Sequence, residues 1–317
     1  MRQILRTLWL MPLCALFARA QTGPSASVAV HVVVTIGHLY GQTPPMLTRD
    51  DLVVRQGVET LQTTNLVPLR GERAGLELFV LVDNCSNCDP GSKTEEFRRF
   101  IASLPSTTSI GVAYIQDGQL RILENPTKDR ARVLAALNPP SGNKPKSPYA
   151  ALTQLITGWP SNSSRHAVLM ISNGIDPAAT EQLDTSASAE TAIEAAQRAG
   201  VTVFAIYHPS ADYATADSGR IYGGQVQLAH VAIETGGEAY FLGFGPLPSL
   251  APFLADVVDH FANQYLLEFL AKPNDATGSL EEISVKSKID GLDLMVPAKV
   301  WVPGRASTGN APDASRY

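Results

Sequence analysis

Hydrophobic and polar positions fall into three successive patterns along the chain. Between residues 25 and 68 they favour strands. Ser27-Val-Ala-Val-His-Val-Val-Val-Thr35 is rich in β-branched residues, and Gly41-Gln-Thr-Pro-Pro45 marks a turn. Leu52-Val-Val-Arg55, Gly57 and Thr60-Leu-Gln-Thr63 predict a hairpin with a polar outer face. Two or three strands are marginal alone, so this block needs strands from elsewhere.

From residue 75 strands alternate with helices. Leu76 to Val82 is an almost unbroken apolar run that ends at Asp83, the pattern of a strand buried on both faces. Ser92-Lys-Thr-Glu95 reads as a capping box opening a helix over Thr94 to Leu104. Ser109 to Gln116 and Gln119 to Leu123 flank Asp117-Gly118, a hairpin signal. Helices are predicted over Lys128 to Leu137 and Tyr149 to Gly158, with a strand from His166 to Ser172. An alanine-rich helix, Ala189 to Ala199, closes at Gly200 and leads into the strand Val201 to Tyr207. A helix over Gln225 to Glu234, a short strand from Glu238 to Phe241 and a helix over Ser249 to Asn263 follow, with Gly223-Gly224 and Gly236-Gly237 read as helix punctuation. Such alternation predicts a mostly parallel sheet covered by helices on both faces.

Beyond Tyr265 the pattern returns to strands, at Tyr265 to Leu270, Glu282 to Lys286 and Leu292 to Val302. The expected fold class is therefore α/β. A doubly wound, mostly parallel Rossmann-like sheet is inserted into a small β-sandwich-like unit built from both chain ends. The boundaries read as an N-terminal β segment over 21–70, an α/β domain over 71–263, a C-terminal β segment over 264–303 that pairs with the first, and a polar, disordered tail over 304–317.

Residues 1–20 stand apart. Arg2, Arg6 and Arg19 surround the apolar run Leu8 to Phe17, which ends in Ala18-Arg19-Ala20, the arrangement of a cleavable export signal. The run is shorter than the roughly 20 apolar residues that span a bilayer. Cleavage leaves 22 basic against 30 acidic residues, so the charge of −5 becomes −8. An acidic exported chain without basic clusters is a poor match for nucleic acid or anionic membrane surfaces, and no membrane insertion is expected after cleavage. The expected location is the periplasm or the medium.

Processing also removes Cys14 and leaves Cys85 and Cys88, spaced C-x-x-C. The pair reads as a disulfide tightening its loop, as a thiol–disulfide redox pair, or as two free thiols. Ser92, the helix start, lies four residues past Cys88, which weakens dipole assistance to a reactive thiol. The six histidines, at 31, 38, 166, 208, 230 and 260, are scattered and read as surface or strand residues. No hydrolase elbow, metalloprotease helix or phosphate loop is present, so the chain is not expected to be an enzyme.

Ligands of open α/β sheets sit at the carboxyl ends of the strands, near the reversal of strand order. The loops after Asp83, around Ser147 and after Ser172 are thus the places to look. Here Phe79-Val-Leu-Val-Asp83, Val168-Leu-Met-Ile-Ser-Asn-Gly-Ile-Asp176, Ala195 to Phe204, Glu234-Thr-Gly-Gly-Glu-Ala-Tyr240 and Gln264-Tyr-Leu-Leu267 resemble von Willebrand factor A domains. With Leu47-Thr-Arg-Asp-Asp-Leu52, the chain looks most like their exported VWFA-related acidobacterial branch.

The resemblance implies a Mg²⁺ adhesion site with Asp-x-Ser-x-Ser in its first loop, a threonine from a second and an aspartate from a third. Mg²⁺ is a hard cation that takes oxygen ligands and keeps a position for a ligand carboxylate. Here Asp83 matches, but Cys85 and Asn87 replace the serines around Ser86, Ser147 lies near the threonine position, and Asn173 replaces the aspartate. Asp83 and Ser147 are the matched metal positions, and Asp89 or Asp176 is close enough in sequence to compensate. The alternative is that Asp83 caps its own turn through backbone N–H groups. The implied function is a non-enzymatic adhesion or assembly-scaffold module that meets a protein or surface ligand through Asp83, Ser86, Asn87, Ser147, Asn173 and Asp176. Its Mg²⁺ dependence is weakened or lost; redox work by Cys85 and Cys88 is the alternative.

Overall fold

The computed structural model describes residues 27–37, 44–83, 94–116, 119–137, 147–160, 165–177, 186–209, 217–245 and 247–304. Residues 1–20, expected to be an export signal, residues 84–93 with Cys85 and Cys88, and residues 305–317 lie outside them.

The N-terminal strands are β1 (Val28–Ile36), β2 (Leu52–Gln56), β3 (Glu59–Thr60) and β4 (Gln62–Pro68). The α/β region then runs β5 (Leu76–Asp83), α1 (Thr94–Ser103), β6 (Ser109–Gln116), β7 (Gln119–Thr127), α2 (Arg130–Ala136), α3 (Pro148–Thr157) and β8 (Arg165–Ser172). It continues through α4 (Ala187–Ala199), β9 (Val201–Tyr207), α5 (Ser218–Glu234), β10 (Ala239–Tyr240) and α6 (Ala251–Ala262). The chain closes with β11 (Gln264–Ala271), β12 (Gly278–Ser287), β13 (Leu294–Met295) and β14 (Lys299–Pro303).

The central sheet has the order β10-β9-β8-β5-β6-β7, parallel except for the antiparallel edge strand β7. Alternation within β5 divides its core. Leu76, Leu78, Val80 and Val82 face α1 and α6, whereas Phe79 and Leu81 face α3, α4 and α5. Asp83 shares the parity of Phe79 and Leu81, so it emerges on the α3 side. Chain order reverses between β5 and β8, which pair in register from Leu76 with Arg165 to Val82 with Ile171. That edge is the crevice at the carboxyl end.

Strands from both chain ends form the remaining unit. Two four-stranded sheets, β13-β1-β11-β4 and β14-β12-β2-β3, share one core that includes Val30, Val34, Val54, Phe269, Ile283 and Val302. β1 lies antiparallel to β11 and β2 antiparallel to β12, so the N- and C-terminal strands complete one another.

Three differences from the sequence reading have local causes. α5 begins at Ser218, seven residues before the expected start, and takes in Gly223-Gly224, which are therefore interior helical residues. Asp217 caps it by accepting from the Gly219 N–H at 3.2 Å. The strand expected over Leu292 to Val302 divides into β13 and β14, with Pro297, which has no N–H to donate, between them. His260 is neither a surface nor a strand residue, because it lies buried on α6.

Candidate functional site at the carboxyl edge of the sheet

Asp83 and Ser172 end the neighbouring strands β5 and β8. Ser172 is the terminal polar residue of an otherwise apolar run, and parallel register carries it across to Asp83. Its hydroxyl donates to Asp83 Oδ2 at 2.8 Å and accepts from the Gly174 N–H at 3.0 Å. One hydroxyl thus joins the carboxylate to the β8 loop. Burial raises the Asp83 pKa to about 6, and the Ser172 hydrogen bond partly opposes that rise. The hydrogen bond shown for Asp83 reaches the next strand; the turn it was expected to cap lies outside the described residues.

Ser147 and Tyr149 come from α3. Pro148 fits the first helical position, where no N–H is needed, and the Ser147 hydroxyl accepts from the Ala150 N–H at 3.4 Å as N-cap. Tyr149 is fully buried and its hydroxyl donates to the Gly174 carbonyl at 2.8 Å, tying the start of α3 to the β8 loop. Burial, then the charges of Asp176 and Asp83, hold this phenol well above its usual pKa, so it stays a donor. Asn173 turns back on its own loop, where its Oδ1 accepts from the Ile175 N–H at 2.9 Å. Asp176 is buried, at 5% exposure.

The loop is clamped from behind by α5. Gly174 has φ +71°, the left-handed region that disfavours side chains, and a Cβ there would stand 2.2 Å from the Gly224 carbonyl oxygen. A Cβ on Gly224 would stand 2.4 Å from the Asn173 carbonyl oxygen. Gly224 therefore lets the helix approach the site loop. Beside it, Gln225 Nε2 donates to the Gly243 carbonyl at 2.7 Å, and the Tyr207 hydroxyl donates to the Phe244 carbonyl at 3.3 Å. The 241–245 loop is held by these bonds, yet exposes Phe241, Leu242 and Phe244.

The structure thus assembles Asp83, Asn173 and Asp176 with the α3 start at Ser147, and adds Ser172, Tyr149 and the glycine pair. Ser86 and Asn87 lie outside the described residues. The described donors do not fit the Mg²⁺ site that the resemblance implies. Asp83 is the single carboxylate at a matched position, and its Oδ2 already accepts from Ser172, while the Asn173 amide oxygen is spent on its own turn.

The class so defined is a doubly wound α/β domain with a polar switch-point crevice, completed by a two-ended β sandwich. No family model matches the sequence, and no curated protein matches it. Among solved structures, a von Willebrand factor type A protein from Catenulispora acidiphila is 10% identical with a TM-score of 0.43, over 90% of this chain and 75% of that one. The pilus adhesin SpaC from Lactobacillus rhamnosus GG is 8% identical with a TM-score of 0.46, over 80% of this chain and 47% of its own. The conserved hypothetical protein BatB from Bacteroides thetaiotaomicron is 12% identical with a TM-score of 0.41, over 59% and 98%. These likenesses are distant, and the architecture stands on the strand order and registers above.

Proposed function

We propose that the chain is an exported binding module of the von Willebrand factor A type, without enzymatic activity, that meets a protein or surface ligand at its carboxyl edge without Mg²⁺. The observation that carries this reading is the contrast along that edge. The polar groups of the crevice are turned onto one another through Asp83, Ser172, Gly174 and Tyr149, while the adjoining loop presents Phe241, Leu242 and Phe244 to solvent. Buried polar groups bonded to one another make a rigid support, and clustered exposed apolar residues mark contact surfaces. No helix among the described residues is long and apolar enough to cross a membrane.

The test measures binding of the purified mature chain to envelopes of the producing cells, with Mg²⁺ or with EDTA. Saturable binding that is unchanged by EDTA and at least tenfold weaker in Leu242→Glu/Phe244→Glu is expected. Loss of binding in EDTA would restore the metal-dependent reading, and absence of saturable binding would remove the adhesion reading.

A further inference from the structure

A second polar cluster joins the edge strand β10 to α6. Glu238 directly precedes β10, and its carbonyl accepts from the Ala205 N–H at 2.9 Å, which fixes its backbone to β9. Asp256 and His260 are one turn apart on α6 and therefore share a face. Tyr240, the last residue of β10, donates its hydroxyl to Asp256 Oδ2 at 2.7 Å. Strand and helix thus meet through side chains at the point where the chain enters the 241–245 loop, with its exposed Phe241, Leu242 and Phe244.

The imidazole is the buried member of this group. Its side chain is 3% exposed and packs against the Phe204 ring of β9, with centroids 5.7 Å apart. The two carboxylates take opposite ring nitrogens. Nε2 lies 3.4 Å from Glu238 Oε2, whereas Nδ1 lies 3.4 Å from Asp256 Oδ2 and 2.9 Å from the Asp256 carbonyl oxygen. A neutral imidazole carries one N–H and can serve one of these sides; the imidazolium carries two and serves both. Glu238 and Tyr240 face the ring from β10 and its lead-in, Asp256 from α6, and the uncharged Phe204 from β9. Burial opposes charge on the ring, but the hydrogen bond and charge of Asp256 and the charge of Glu238 outweigh it, and the pKa is raised. Burial, then the bond and charge of Asp256, hold the Tyr240 phenol well above its usual range, so it remains a donor.

Loss of the ring proton removes one link and leaves the others. The Nδ1 proton stays with the Asp256 carbonyl, and the Tyr240 bond to Asp256 persists. Nε2 then turns a lone pair toward the Glu238 carboxylate, an acceptor against an acceptor. The Glu238 side chain is 31% exposed, so it can turn out to water, and the lead-in to β10 gives up its side-chain hold on α6. The folded state binds this proton more tightly than the unfolded chain does. The hold is therefore complete below the usual histidine value of 6.5 and fades as pH rises through the higher folded value.

We propose that protonated His260, between Glu238 and Asp256, clasps β10 to α6, and that alkaline pH opens the clasp and loosens the 241–245 loop. The consequence for binding rests on the reading above, in which Phe241, Leu242 and Phe244 meet the ligand. The chain then holds its ligand more tightly in neutral or acidic surroundings than in alkaline ones. The clasp shares no residue with the crevice around Asp83.

The test follows the ring Cε1–H resonance of His260 in residues 21–317, assigned with His260→Gln, from about pH 5.5 to about pH 9. A midpoint above 6.5 is expected, and a lower one in Glu238→Gln, which keeps Asp256 and disturbs no buried side chain. Hydrogen exchange of amides 239–245, corrected for its intrinsic pH dependence, should quicken at least about threefold across that midpoint, and should show no such step in His260→Gln. Envelope binding should weaken at least about threefold over the same range in wild type alone. A midpoint at or below 6.5, exchange that is flat across it, or an equal step in His260→Gln overturns the clasp. Saturable envelope binding that is flat across the midpoint overturns its control of the site. Absence of binding at every pH, with the exchange step present, overturns the adhesion reading and upholds the clasp.

Discussion

At Asp83 a carboxylate is held in a place that favours its neutral form. Its folded-state pKa, about 6, lies above the unfolded value near 3.8. The folded state therefore holds the proton more tightly. Below about pH 4 both states are protonated and the residue costs nothing. As pH rises from 4 through 6, stability is lost, by up to about 3 kcal/mol. Asn can still accept from Ser172, so Asp83→Asn should stabilise the chain at pH 7 by a comparable amount and have no effect near pH 3.5. Urea denaturation of both proteins across that range checks this. An Asn variant that is less stable at pH 7 would show that the carboxylate is a stabilising group. Gly224 gives a second residue-level expectation. Its missing Cβ would stand 2.4 Å from the Asn173 carbonyl oxygen, so Gly224→Ala should cost about 1–3 kcal/mol and shift the melting temperature down. The sequence points to Asp83, Ser147, Asn173 and Asp176 because each lies beside a strand end or helix start. Ser172 and Tyr149 are harder to see. Ser172 acts through a strand 89 residues away, and Tyr149 through a carbonyl 25 residues on, so their roles depend on tertiary register.

Among the elements, those with strong internal patterns are legible from sequence. β9 occupies the expected Val201–Tyr207, and α4 closes at Gly200 as its C-terminal signal requires. The start of α5 is not, because Gly223-Gly224 looks like a break when the surface that needs it is out of view. The junctions between units carry less signal still, and Arg165 holds one of them. Its guanidinium is buried and donates to the carbonyls of Ala74 and Phe261 and to the Gln264 side chain. Those groups mark the entry to β5, the end of α6 and the start of β11, where the chain passes between the β unit and the α/β domain. Gln264 in turn donates to Thr35 Oγ1 at 3.0 Å, which extends the junction to β1. Burial lowers the Arg165 pKa to about 10, so the group remains charged at neutral pH. Arg165→Met keeps much of the side-chain length but strands several acceptors. It should lower stability by about 2–4 kcal/mol, read as a lower urea midpoint with the denaturant slope unchanged. A change below about 0.5 kcal/mol would mean that water replaces the guanidinium there.

For the whole molecule, the arrangement of the chain ends predicts how it comes apart. The β unit joins Val28 to Ala271 and Leu52 to Ser287, so its sheets close across the entire α/β domain. If that domain unfolds first, the sandwich must hold together a loop of some two hundred residues, at the corresponding entropic cost. If the sandwich opens first, contacts between the units are lost. These include Arg198 stacked 4.2 Å over the Trp301 ring and the Ala298 N–H bonded to the Glu234 carbonyl at 3.1 Å. Both routes disfavour a half-folded chain, so unfolding should be cooperative. Residues 21–317 carry two tryptophans that report on the two units, because Trp159 packs on Phe79 and His166 in the α/β domain while Trp301 lies in β14. Trp159→Phe and Trp301→Phe each leave one fluorophore in one unit. Corrected for the small stability change of each substitution, the two urea transitions should coincide with each other and with the far-UV circular dichroism transition. If the Trp301 signal is lost at distinctly lower urea than the Trp159 signal, the sandwich opens alone, and the two units are coupled only by the chain that joins them.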